Sequence, residues 1–140
     1  MTAPDQEMRC PSAQPGMADL RVLGVVTETP VGPRVAYLRE DVIASDEVLA
    51  LAEPVQPTEV FRLSGSCAGS TCAHFRDQRC RLAERVVSLL APVASALPPC
   101  RIRPSCRWYV QEGRAACVRC PQIATLDVAD EHRAALARSD

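Results

Sequence analysis

Lysine is absent from this 140-residue chain, so all sixteen of its Lys-plus-Arg residues are arginine. Together with the abundance of alanine, this reads as the codon bias of a GC-rich, bacterial genome rather than as a functional signal. Aromatics are scarce, with one Trp, two Tyr and two Phe, so an extended platform for stacking bases is not legible. Two histidines, His74 and His132, restrict acid–base chemistry, and no Ser/His/Asp arrangement can be read. There is no GxGxxG and no phosphate-binding loop. Nor is there a Cys-x3-Cys-x2-Cys triplet, the common radical-SAM signature. Residues 1–19 carry Pro4, Pro11 and Pro15 instead of an apolar run after a basic start, which is not a signal-peptide pattern. The longest apolar stretch, Leu82–Leu97, is interrupted by charge and by Pro92, so no membrane span is expected. These absences point to a soluble, cytoplasmic protein that is not read as an enzyme.

What the chain does have is cysteine. Of its eight, seven fall within 67–120: Cys67, Cys72, Cys80, Cys100, Cys106, Cys117 and Cys120, while Cys10 stands apart. In a reducing compartment dense cysteines read as metal ligands before they read as disulfides. Zinc sites favour two close pairs of ligands, and here only Cys117-x2-Cys120 forms one. The other gaps, of four, seven, nineteen, five and ten residues, suit a polynuclear group with well-separated ligands. Cys-Pro, which follows the last ligand in ferredoxins, occurs at Cys10-Pro11 and Cys120-Pro121. The full ferredoxin spacing does not.

Eight thiolates are enough for two [4Fe–4S] clusters. One division groups Cys67, Cys72 and Cys80 against Cys106, Cys117 and Cys120, with Cys10 and Cys100 as the distant fourth ligands; which joins which is open, and a single cluster with spare thiols is the simpler alternative. His74 is either a further ligand or a hydrogen-bonding neighbour, and Trp108 and Tyr109 are read first as core.

Charge is segregated. Residues 1–59 carry a net −6, residues 60–121 a net +7 and residues 122–140 a net −2. Of the arginines around the cysteines (Arg76, Arg79, Arg81, Arg85, Arg101, Arg103, Arg107, Arg114 and Arg119), several are expected to point inward or lie close enough to lower thiolate pKa values. Cys80, placed in the first turn of a helix, is expected to gain the same help from the dipole.

The fold class is α+β. Residues 1–19 read as a flexible arm and 20–140 as one domain: 20–63 mainly β, 64–121 the cysteine-rich region, 122–140 a terminal helix or tail. Strands are expected at 20–28, 34–39 and 58–63, the first two joined by a turn over 30–33. A helix capped by Ser45 is expected at 46–52. A second, at 78–97, presents Leu82, Val86, Leu89, Val93 and Leu97 and is kinked by Pro92.

Three readings follow. The first is a small iron–sulfur protein with one or two [4Fe–4S] clusters, acting in electron transfer or redox sensing with a protein redox partner. The second is a zinc-stabilised module whose arginine face binds nucleic acid or protein. The third is a thiol–disulfide switch at Cys117-x2-Cys120.

Overall fold

A computed structural model of the chain describes residues 8–123. The terminal helix expected beyond residue 122 falls almost wholly outside them.

The sheet grows from a hairpin. The β-branched run 21–29 forms β2 (Arg21–Thr29), and the chain returns as β3 (Gly32–Ile43) after the two-residue turn Pro30-Val31. Thr29 Oγ1 donates to the carbonyl of Gly32, at 2.6 Å, and accepts from Val31 N–H, which fixes the turn. The return strand is longer than expected at both ends.

After β3, Ser45 caps α1 (Asp46–Ala50), its hydroxyl accepting from Val48 N–H at 3.2 Å. The strand expected at 58–63 instead opens with a turn of helix, α2 (Pro57–Val60). Pro57 stands at the helix start, where its fixed φ fits, and Gln56 and Glu59 form a capping box; this local pairing outweighs the alternating pattern. β4 (Phe61–Ser66) follows and inserts beside β2.

Part of the segment read as a flexible arm is also sheet. Residues Arg9–Ala13 form β1, antiparallel to β4, with Cys10 opposite Gly65 and a register shift before Ala13. The break falls at Pro11, which has no N–H to donate. The four-stranded sheet runs β1-β4-β2-β3, all antiparallel. With helices beside it, the architecture is α+β.

β4 is an inner strand, and it is buried on both faces because a core packs against each. Successive residues face opposite sides. Leu63 joins Val22, Ala13 and Ala44 in one core, backed by Val48 and Leu49 of α1. Arg62 faces the other side, over Trp108. There Leu82, Ala83, Val86, Trp108, Ala116 and Ile123 form the second core with Cys106 and Cys120.

The cysteine-rich region is built from short pieces. A small hairpin, β5 (Phe75–Arg76) and β6 (Arg79–Cys80), turns at Asp77 and Gln78 with φ of 54° and 66°. It leads into α3 (Arg81–Leu89). The helix expected to reach residue 97 ends at Leu89 rather than kinking. Pro92 has no N–H for the carbonyl four residues back and its ring would clash there, so the helix stops short of it. Val93 N–H goes instead to Val118 O, at 2.8 Å, and Leu89 and Leu97 are exposed. Beyond the irregular residues 90–106 come α4 (Arg107–Glu112) and α5 (Arg114–Cys117), separated by Gly113 at φ +70°. Among the described residues no helix is long and apolar enough to cross a membrane.

Candidate metal centre

All eight cysteines are free thiols, and the fold sorts them four and four. Cys10, Cys67, Cys72 and Cys80 line a cavity of about 270 Å³. Cys100, Cys106, Cys117 and Cys120 line another, of about 20 Å³.

Strand pairing builds the first quartet. Cys10 pairs with Gly65, and Cys67, two residues on, falls on the same face, its N–H held by Met8 O at 2.8 Å. Cys72 ends the 3₁₀ turn Gly69–Thr71, and Cys80 closes the β5–β6 hairpin. Gln111 of α4 grips Cys80 from outside, accepting from its N–H at 2.8 Å and donating to its carbonyl at 2.9 Å. Cys80 is the N-cap of α3 rather than part of its first turn.

The second quartet comes from the irregular segment. Cys106 precedes α4, Cys117 ends α5, and Cys120 opens the 3₁₀ turn Cys120–Gln122. A bridge between Arg9 and Cys106 sets this group against β1, whose Cys10 belongs to the first quartet. Pro11 and Trp108 therefore stand between the two sites: Trp108 lines both cavities, and Pro11 lines the second.

Every sulfur receives hydrogen bonds. In the first quartet the donors are backbone N–H groups two or three residues on: Ser12 to Cys10, Gly69 to Cys67 at 3.4 Å, His74 to Cys72 at 3.4 Å and Ala83 to Cys80 at 3.5 Å. In the second, Ile102 N–H serves Cys100 and Tyr109 N–H serves Cys106. Side chains serve the rest: Arg103 donates to Cys117, and Arg62 and the Tyr37 hydroxyl both reach Cys120. Tyr37, Gly24 and Arg62 are register partners across β3, β2 and β4. A Cβ at Gly24 would lie 2.6 Å from Ala36 O and from Val35 Cγ1, so only glycine fits this row.

Burial nonetheless dominates the free thiols. It pushes Cys10 and Cys106 up to about 12, and raises Cys80, Cys100 and Cys117 as well. The helix N–H groups at Cys80 and the arginine at Cys117 pull downward without winning. At these five thiols the expected lowering by the dipole and the arginine surplus is thus reversed by desolvation.

Most of those arginines do other work. Arg79 bridges Glu84 and Glu112, and Arg81 bridges Asp77 and Glu84. Arg101, Arg114 and Arg119 donate to the carbonyls of Arg39, Ser95 and Leu90. An irregular segment leaves carbonyls without helix or strand partners, and guanidinium groups supply them. Arg107 stacks over Phe75 and lines the first cavity. Arg85 lies 3.2 Å from His74 Nδ1. A guanidinium can only donate, so Nδ1 accepts and the ring carries its proton on Nε2. That tautomer suits a hydrogen-bonding neighbour of the first cavity better than a ligand.

Sequence reasoning missed Arg62, Tyr37 and Gln111. Arg62, in an alternating strand, reads as a solvent-facing residue, and nothing in the local pattern marks it otherwise. Among the described residues, no three or more His, Cys, Asp or Glu side chains converge closely enough to hold a single metal ion.

Fold and thiols together define an α+β chain whose eight cysteines line two cavities, four to each. No known protein family, curated protein or solved structure matches it.

Proposed function

We propose that the chain is a small iron–sulfur protein with two [4Fe–4S] sites, one at Cys10, Cys67, Cys72 and Cys80, the other at Cys100, Cys106, Cys117 and Cys120. It passes single electrons to a protein partner or senses oxidants, in a reducing, cytoplasmic setting. The observation that carries this reading is the partition itself: four free thiols at each of two cavities, every sulfur hydrogen-bonded. Hydrogen bonds to sulfur and local charge are the protein's means of setting a cluster's potential.

The fit differs between the sites. The first cavity has four thiols on its walls and about 270 Å³ of room. The second has the right donors, but its 20 Å³ is space for about one water, so its thiols must move outward to surround a cluster. The charge segregation supports docking to a partner of complementary charge.

Anaerobic purification, a visible spectrum, and iron and acid-labile sulfide analysis test this. A brown protein with about eight irons and about eight sulfides per chain supports two clusters. The small second cavity favours one variant of the reading: about four irons with about one zinc would assign the second site to zinc. A colourless, folded protein with zinc alone removes the iron–sulfur reading and leaves the zinc-stabilised binding module.

A further inference from the structure

Arg62 is wholly buried, and among the described residues no carboxylate pairs with it. A guanidinium never loses its charge in a protein, and an unpaired buried cation is strongly unfavourable. Its donors go to Pro11 O at 2.5 Å, Cys120 O at 2.8 Å, Ile123 O at 3.1 Å and Cys120 Sγ at 3.1 Å. Its charged carbon lies 5.6 Å from the Trp108 ring centroid. Carbonyls and a ring face solvate a cation without neutralising it. Of the groups that accept its hydrogen bonds, the one able to carry negative charge is the sulfur of Cys120, with the Tyr37 hydroxyl and the Cys10 thiol nearby.

The carbonyl that Arg62 holds belongs to Pro11, which is joined by one peptide bond to Cys10 of the first quartet. A continuous path therefore runs from Cys10 through the Pro11 carbonyl and the Arg62 guanidinium to Cys120 Sγ. It passes beside Trp108, which walls both cavities.

We propose that Arg62 is the built-in counter-ion of the second cysteine site and the hydrogen-bonded link that ties this site to the first. The inference rests on the two-site reading above and specifies how one of those sites is regulated. A fixed positive charge on a ligand sulfur favours the more negative, reduced form of whatever that sulfur binds, so Arg62 holds the second site at a higher potential than its thiolates alone would give. At the first site the sulfurs of Cys10, Cys67, Cys72 and Cys80 take backbone N–H donors.

The experiment isolates the second site by Cys72→Ser and reduces it with dithionite, an external one-electron reductant, while electron paramagnetic resonance follows its potential. Arg62→Met is expected to lower that potential, and Arg62→Lys, which keeps the charge, to restore much of the difference. Because Arg62→Met risks misfolding, a second measurement uses otherwise unmutated Arg62. In an Arg103→Gln background with ¹⁵N-arginine, electron–nuclear spectroscopy of the reduced second site is expected to show coupling to a guanidinium nitrogen that disappears in Arg62→Lys. An iron-loaded protein whose second-site potential is the same in all three Arg62 forms, or that shows no guanidinium coupling, overturns this proposal alone. A wild-type chain free of iron, or one whose second site holds redox-inactive zinc, overturns it together with the two-cluster reading.

Discussion

The two cysteine sites solve one problem in opposite ways. The first gathers its thiols from the edge strand β1, the end of β4 and two tight turns, and hydrogen-bonds their sulfurs with nearby backbone N–H groups. Those donors lie two or three residues from the sulfurs they serve. The second gathers its thiols largely from an irregular segment; nearby backbone N–H groups serve Cys100 and Cys106, but Cys117 and Cys120 are served by side chains, and Arg62 and Tyr37 reach Cys120 from the sheet. The first therefore stands open at about 270 Å³, whereas the second is closed on itself at about 20 Å³. The first site should load metal sooner, and the second should respond more strongly to changes in the sheet.

The sharpest way to break this comparison is at the wall the sites share. Trp108→Ala removes a fully buried ring from the second core and should lower stability by about 3–5 kcal/mol. Iron should be lost from both sites together; anaerobic denaturation with metal analysis would show it. Loss from one site only would mean that the wall is not common to both.

Next come the ligands. Cys80→Ser should leave about four irons in the second site, and Cys106→Ser about four in the first. Iron analysis with paramagnetic resonance distinguishes the two residual signals. If either substitution empties both sites, the four-and-four partition fails.

Protonation gives a smaller, graded effect on both sites. In the metal-free fold Cys10 and Cys106 are held protonated up to about 12, above the ordinary thiol value near 9. A group whose pKa is raised by folding contributes stability below its unfolded pKa and loses it as pH climbs through the folded value. The metal-free protein should accordingly weaken between about pH 9 and 12, as thermal melts across that range would reveal. Metal loading releases these same protons, so it should run the other way and fall off as pH is lowered. A melt that rises through the alkaline range would contradict the burial of these thiols.

Gln111→Ala should have the most selective effect. It frees the backbone N–H and carbonyl of Cys80 and should cost about 1–3 kcal/mol. Its influence on iron content should be confined to the first site, since Gln111 holds no second-site residue in the hydrogen bonds described here. Equal loss at both sites would show that the two are held together more tightly than their separate scaffolds imply.

Local chemistry alone carried several features into the structure. The β-branched run at 21–29 and its return, the Ser45 cap and the apolar spacing that starts α3 all depend on neighbours within a few residues, and all can be read along the chain. The cysteines were legible as two runs with Cys10 and Cys100 apart, but which of these two joins which run was open in the sequence and is decided by where the strands and turns place them. What failed was decided at a distance. The length of α3 was set by Pro92 and by Val118, which takes the Val93 N–H. The role of residues 9–13 was set by β4, fifty residues away, because an exposed edge offers backbone partners to any strand that can use them. The arginines were legible as charge but not as partners, since which carbonyl lacks a donor is known only once the irregular segment has folded. Arg62 shows the limit most plainly: its alternation along β4 gives it a face, and only the packing of Trp108 and Cys120 over that face makes it a buried cation beside a thiol.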